Sequence, residues 1–259
     1  MIIVVDFGHG VNNILKDPGA CGNNLVEADL NKIIGDNVVN KLKNNYIVDV
    51  RIAPRGTLTD RTNYANSINA DYFLSIHINS AVNNKARGWE TFVHNNASQN
   101  SIKYQKVIHT EIMSYLKQFN IIDRGMKKAN FAVLRNSKME ACLIENLFIS
   151  NANDAKFLKD DKFLDGLADS ISKGIIKAFN LQLKEIEENN KEEKENKQDD
   201  NQNNSQTNNI KFKYNNQLVN VDYVNVDSKV YVYIRNLCDL FNKNINWDGN
   251  TRIISIDDK

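Results

Sequence analysis

A chain of 259 residues with 41% apolar and 25% charged side chains can build one sizeable core plus a smaller module. A net charge of +1 gives no reason to expect nucleic acid as a partner. No run approaches the ~18 apolar residues that cross a bilayer, so stable membrane association is not expected either. The charge is unevenly placed, with a net +5 over residues 1–184, −5 over 185–209 and +1 over 210–259. Cys21, Cys142 and Cys238 are scattered and show no C-x-x-C spacing, which reads as reduced thiols. Met1 runs directly into a strand without a basic and apolar leader, so synthesis in the cytoplasm without a signal peptide is expected.

The first strand is Ile2-Ile3-Val4-Val5, β-branched and apolar throughout as in a strand buried on both faces. It runs through Asp6-Phe7 into Gly8-His9-Gly10, where glycines permit a tight turn and bring an imidazole to the strand's carboxyl end. Leu30, Ile33, Ile34, Val38 and Leu42 recur at helical spacing over 27–44. A second strand is expected over 46–52, a short helix over 60–70, and a buried strand over 71–77 that ends in His77. Residues 89–93 form a further strand, and Ile102, Ile108, Ile112, Tyr115, Leu116 and Phe119 mark a longer amphipathic helix. Residues 141–145 form the last buried strand, ending in Glu145, and a closing helix covers 157–179. Strands alternating with helices predict an α/β fold with a twisted, mostly parallel sheet and helices on both faces.

Residues 185–209 are almost entirely Glu, Lys, Asn, Gln and Asp, a composition unable to offset its ordering entropy, and are expected to be a flexible polar linker. Beyond it, strands are expected at 211–214, 218–221, 229–234, 245–247 and 252–256. They are joined by turns at Asn215-Asn216 and Asp248-Gly249, with a helical stretch near 235–241. The expected domains are thus 1–184, the linker 185–209 and a small α+β module, 210–259. About fifty residues is near the lower limit for independent folding, which points to a partner or to self-association through this module.

His9, His77 and Glu145 fall at the carboxyl ends of predicted buried strands, the edge where open α/β sheets bind ligands. Glu27 opens the first helix, close in sequence to His9. A His/Glu/His set with one open position matches several catalytic zinc sites, where the metal lowers the pKa of water to roughly 7. A carboxylate that is not a ligand would then shuttle a proton to the leaving amine, a role that suits Glu145. Each residue also has a plain structural reading. Glu27 could be an acidic residue favoured at a helix N-terminus, with Asp29 as a competing ligand. Glu145 could be a buried, ion-paired carboxylate. His94 and His109 fit structural or solvated roles, and Cys142 within an apolar strand fits packing better than nucleophilic attack.

The blocks Val5-Asp6-Phe7-Gly8-His9-Gly10, Asp17-Pro18-Gly19-Ala20 and Glu27-Ala28-Asp29-Leu30-Asn31 resemble the opening of the zinc-dependent N-acetylmuramoyl-L-alanine amidases, type 3 family. The likeness continues through Arg61, Ala65-Asn66, Ala70-Asp71, Ser75-Ile76-His77-Ile78-Asn79 and Gly88-Trp89-Glu90. It closes with Leu143-Ile144-Glu145-Asn146 and Phe148-Ile149-Ser150-Asn151, in the family's order and over about residues 2–180. The resemblance implies one catalytic zinc held by His9, Glu27 and His77, with Glu145 as the catalytic glutamate. It also implies a sheet of about six strands, and cleavage of the amide between N-acetylmuramic acid and L-alanine in peptidoglycan. Val11, Ala28 and Glu140 depart from the family's usual glycine, lysine and proline, which bears on groove shape and peptide preference. Val230-Tyr231-Val232-Tyr233-Ile234-Arg235, Leu240 and Ile245-Asn246-Trp247-Asp248 resemble the small domain similar to the N-terminal domain of copper amine oxidases. That domain has no copper site of its own, and here it would serve in cell-wall binding.

The function expected is that of a bacteriolytic peptidoglycan hydrolase, a phage endolysin of a Gram-positive, clostridial-type host that acts on the cell wall after release. The alternatives are a host autolysin of sporulation or mother-cell lysis, a zinc peptidase acting on non-murein peptides, and a catalytically dead wall-binding protein. All four site positions being filled argues against the last.

Overall fold

The computed structural model describes residues 1–11 and 16–184, and five strands of the C-terminal part. The chain divides into two compact units, Met1–Glu188 and Asn189–Lys259.

In the first unit β1 (Ile2–Phe7) is followed by two short ribbons, β2 (Gly10–Val11) with β3 (Lys16–Asp17) and β4 (Cys21–Gly22) with β5 (Leu25–Val26). Then come α1 (Glu27–Asn45), β6 (Asp49–Ile52), α2 (Leu58–Ser67), β7 (Tyr72–Asn79), β8 (Trp89–Val93) and α3 (Gln99–Leu116). β9 (Asp123–Lys128), α4 (Ala132–Asn136), β10 (Glu140–Phe148), α5 (Ala152–Leu158) and α6 (Asp161–Phe179) complete it. The main sheet has six strands in the order β6-β1-β7-β10-β8-β9, all paired in parallel except β10 with β8.

Alternation along the central strands sends two different residue sets to the two faces. Ile3, Val5, Phe7, Leu74, Ile76 and Ile144 pack on one side with Leu30, Ile34 and Val38 of α1, Ile108 and Ile112 of α3, and Leu167, Ile171 and Ile175 of α6. Val4, Phe73, Ala141 and Leu143 pack on the other with Ala65 of α2 and Val133 and Leu134 of α4. Helices therefore cover both faces, as the alternating pattern predicts. The second face changes character along the strands. Past its apolar residues come Asp6 on β1, Ser75 and His77 on β7, and Glu145 on β10, so this face turns polar towards the carboxyl ends.

Several boundaries differ from expectation. The strand expected at 46–52 starts at Asp49, with Tyr46 making only an isolated bridge to Leu183. The closing helix is two helices, because Asp160 accepts hydrogen bonds from Lys162 N and Phe163 N and restarts the chain as a new N-cap. The edge strand β9, Asp-Arg-Gly-Met-Lys-Lys, has no apolar alternation to reveal it. It is fixed from α3. Gln105 Nε2 donates to Thr91 O (3.1 Å) on β8 and Lys127 O (3.1 Å) on β9, and His109 sits between Thr91 Oγ1 (3.0 Å) and Asp123 Oδ1 (3.0 Å).

These partners suit a neutral His109, with Nε2–H donating to Asp123 and Nδ1 accepting from the Thr91 hydroxyl. Burial lowers its pKa, and Asp123 offsets this only in part. A folded pKa below the ordinary 6.5 makes the unfolded chain the stronger proton acceptor. Its stabilising contribution is therefore intact above that value and is lost as pH falls through the folded pKa. A smaller drop in melting temperature between pH 7.5 and 5.5 is expected for His109→Gln than for the unmodified chain. Equal drops would show that His109 does not couple folding to pH.

In the second unit β11 (Asn208–Tyr214), β12 (Gln217–Val226) and β13 (Lys229–Val232) form an antiparallel sheet. β14 (Lys243–Asp248) and β15 (Ile253–Asp258) form an antiparallel hairpin. Residues 185–207 of the expected linker, the turn at 215–216 and the helical stretch near 235–241 lie outside the described residues, as do the side chains of Tyr233 and Trp247.

Candidate functional site

The turn after β1 is shaped by a buried ion pair. Arg61 on α2 donates to Asp6 Oδ1 (2.8 Å) and to the carbonyls of Phe7 (2.9 Å), His9 (2.8 Å) and Gly56 (3.2 Å). Ser75 Oγ donates to the other Asp6 oxygen at 2.7 Å. His9 has φ of 62°, a left-handed conformation that a residue with a Cβ adopts at a cost. The Arg61 fork ties the strand end and the His9 carbonyl to one rigid donor, and so holds the imidazole where an ordinary strand would not put it.

His9 Nδ1 lies 2.9 Å from both oxygens of Asp17 on β3. Nδ1–H donates to that carboxylate, and Nε2 faces Glu27 Oε1, 3.4 Å away. Glu27 is the first residue of α1 and is buried. Its Oε1 accepts from Ile78 N (3.1 Å) and lies 3.0 Å from His77 Nδ1, while Oε2 accepts from Ala20 N (2.8 Å). Two glycines make the close approach feasible. A Cβ on Gly8 would sit 2.3 Å from the His77 ring, and one on Gly19, whose φ is +70°, would sit 2.7 Å from both Glu27 Oε2 and the His9 ring. One donor atom from each of His9, Glu27 and His77 lies within 4.8 Å of the others.

Glu145 stands beside this cluster as the register partner of His77 on one side and Glu90 on the other. A register shift follows it in β10, and Leu147 takes φ of 70°. The bulge is pinned by Asn146, which donates to His77 O (3.0 Å) and accepts from Trp89 Nε1 (2.9 Å). Glu145 Oε2 is buried without a hydrogen-bond partner.

The electrostatics follow from this crowding. The hydrogen bond to Glu27, with help from Asp17, raises His9 to about 9 against the opposing effect of burial. Burial alone would depress His77, but the Glu27 hydrogen bond and the Glu145 charge outweigh it and the pKa rises. Burial also works against a charged Glu27, yet hydrogen bonds from His77 and His9 hold its carboxyl well below the usual range. Glu145 is pushed up to about 7, chiefly by burial and further by Glu27 and Glu90. Imidazole protons thus neutralise a site whose carboxylates call for positive charge. Two imidazoles and one carboxylate form a donor set that fits a zinc ion, with the buried, unpartnered oxygen of Glu145 beside it.

Asp29 is exposed and lies outside the cluster. His109 is engaged at α3, and His94 lies near Asn130 at 3.3 Å. Cys142 is fully buried, and burial drives its thiol up to about 12, so it is inert at neutral pH. The roles of Asp17, Arg61 and Asn146 are not readable from the sequence, where they appear only as letters in the matched blocks. Each acts through a contact made across 8 to 69 residues of chain.

A family profile described as N-acetylmuramoyl-L-alanine amidase matches residues 3–177. The endolysin of Bacillus phage SPP1 is 39% identical over 189 residues, which cover 71% of this chain and 68% of that protein. The sporulation-specific N-acetylmuramoyl-L-alanine amidase of Bacillus subtilis (strain 168) is 39% identical over 185 residues, covering 70% and 69%. Among solved structures, the N-acetylmuramoyl-L-alanine amidase from Clostridium difficile 630 superposes with a TM-score of 0.64 at 33% identity, covering 69% of this chain and 96% of that one.

Proposed function

The chain belongs to the N-acetylmuramoyl-L-alanine amidase family, and from that premise we propose that it is a zinc-dependent hydrolase of peptidoglycan. The bond cut is the amide joining the lactyl group of N-acetylmuramic acid to the L-alanine of the stem peptide. The observation that carries this reading is the His9–Glu27–His77 cluster with the unpartnered oxygen of Glu145 beside it.

In this reading His9, Glu27 and His77 hold the metal. Zinc, when bound, supplies a Lewis acid that makes water acidic enough to attack at neutral pH and polarises a carbonyl oxygen. Glu145 Oε2 takes a proton from the attacking water and delivers it to the alanine nitrogen as the carbon–nitrogen bond breaks. In the metal-free site burial raises this carboxyl to about 7, above the ordinary carboxylate range, as suits a group that carries a proton. Asp17 fixes the His9 tautomer so that Nε2 faces Glu27.

Asp17→Asn is expected to weaken zinc binding roughly 10- to 100-fold, since an amide orients the imidazole less firmly and makes it a poorer donor. A competition titration with a chelating dye measures this, and an unchanged affinity would remove Asp17 from the site. The activity itself is tested on purified walls. New N-terminal alanine without new reducing sugar is the amidase result. New reducing ends would instead indicate a glycosidase, and cleavage confined to peptides without sugar would indicate a peptidase.

For the biological role the reading is a phage endolysin acting on the cell wall, supported by likeness to the endolysin of phage SPP1. Equal identity to a sporulation amidase supports a host autolysin as the second reading. No helix among the described residues is long and apolar enough to cross a membrane. The division into a catalytic part, 1–184, a polar connection, 185–209, and a wall-binding module, 210–259, belongs to the same proposal. Such tethering raises the local concentration of the hydrolase at its substrate.

A further inference from the structure

The row of polar side chains that includes His77 and Glu145 does not stop at Glu145. Register partners in neighbouring strands share a face of the sheet, so Glu90 on β8 continues the row. Glu90 is buried, yet it carries two cations from the edge strand β9. Arg124 Nε lies 3.1 Å from Glu90 Oε2, and Lys127 Nζ is hydrogen-bonded to the same oxygen. Asn79 Nδ2 donates to the other oxygen at 2.7 Å. One carboxylate thus anchors two positive charges, leaving a net charge of about +1 in the group. The side chains of Arg124 and Lys127 remain 31% and 37% exposed. The Arg124 guanidinium is held in place, stacked 4.7 Å above the Phe148 ring and donating to Arg87 O at 3.4 Å. This is a preorganised cationic station facing solvent, and the hydrolytic chemistry of Glu145 does not use it.

Its charge and its distance from Glu145 narrow what it would meet. Glu145 and Arg124 are separated by two inter-strand steps, roughly 10 Å at about 4.8 Å per strand. On the glycan side of the scissile amide the substrate carries only neutral hydroxyl and acetamido groups. On the peptide side the first ionised group is the α-carboxylate of the γ-linked glutamate at position two. An extended chain at roughly 3.5 Å per residue places that carboxylate about 7 Å from the scissile carbon. The Arg124 guanidinium, rooted two strands from Glu145 but drawn back onto Glu90 one strand away, falls in that range of roughly 5 to 10 Å.

We propose that Arg124 and Lys127, anchored by Glu90, form the subsite that reads the free α-carboxylate of the second stem-peptide residue and disfavours its amidated form. This rests on the amidase reading above. Loss of that carboxylate's charge leaves the guanidinium facing a neutral amide, so discrimination falls mainly on KM.

The test uses the full chain, zinc-loaded, and two muramoyl tripeptides that differ only at the second residue, free α-carboxylate or α-carboxamide. The unmodified chain is expected to favour the carboxylate by roughly tenfold or more in kcat/KM. Arg124→Gln, with Lys127 left to pair Glu90, is expected to bring that ratio close to one, and Lys127→Gln to lower it by a smaller factor. The ratio is read within each variant, so a general loss of rate cancels. A variant too slow to assay is read by calorimetric binding of the two released tripeptides. Equal rates on both substrates for the unmodified chain, or an undiminished ratio in Arg124→Gln, would overturn the subsite alone. Absence of hydrolysis on both substrates would overturn the amidase reading and the subsite with it.

Discussion

Glu145→Gln is expected to retain about one zinc per chain while kcat falls by roughly 10²- to 10⁴-fold, the range attributed to a positioned general acid–base. The substitution is nearly isosteric, so β10, its bulge and the Asn146 contacts to His77 and Trp89 have no reason to move. Only the capacity to carry a proton is lost. A second readout separates this role from a structural one. Glu145 Oε2 is buried without a partner, and burial raises the carboxyl from its ordinary value of 4.5 to about 7. Below the ordinary value both folded and unfolded states are protonated, and the group costs nothing. Between that value and about 7 the unfolded chain releases the proton while the fold retains it, so the cost to stability grows with pH and is complete above about 7. Metal-free Glu145→Gln is therefore expected to melt higher than metal-free unmodified chain at pH 8, with little difference at pH 4. Wall lysis by Glu145→Gln at the unmodified rate would remove Glu145 from the chemistry.

His77→Ala is expected to lose the metal and, with it, essentially all turnover. The His77 ring fills the space that a Cβ on Gly8 would otherwise invade, and its Nδ1 lies 3.0 Å from Glu27 Oε1. Its removal leaves His9 and Glu27 as the remaining pair of the three-member cluster, with a cavity beside them against Gly8. The loss of affinity should exceed the roughly 10- to 100-fold expected when only a hydrogen-bond partner of a ligand is changed, as in Asp17→Asn. Metal analysis after dialysis against a weak chelator is the measurement. The contrast between the two variants is the informative result, because Glu145→Gln is inactive with metal and His77→Ala is inactive without it. Retention of one tightly held zinc by His77→Ala would remove that histidine from the ligand set.

The runs 2–5, 71–77 and 141–145, which lie along the strands Ile2–Phe7, Tyr72–Asn79 and Glu140–Phe148, were legible because a strand buried on both faces must be apolar along nearly its whole length. For the same reason the polar residues that interrupt or end such runs, His9, His77 and Glu145, stood out as candidates before any contact was known. Glu27 could be paired with them through a family resemblance, but nothing in its spacing chose it over Asp29. What separates the two is the direction of the first turn of α1, which buries Glu27 against Ala20, His77 and Ile78 and leaves Asp29 exposed.

The edge strand Asp123–Lys128 was not legible, since it owes its place to Gln105 and His109 reaching from α3 and its own sequence is charged. The same holds for the restart of the last helix at Asp160, a capping decision made by one side chain. By itself the sequence determined the alternation of strands and helices, because hydrophobic periodicity is a local property of consecutive residues. Only the tertiary structure decided which carboxylate meets the histidines, how Arg61 holds His9 in a left-handed turn, and that Arg124 and Lys127 line up with Glu145 through Glu90. Those are contacts between residues far apart in sequence, set by strand order and register rather than by the pattern within any one segment.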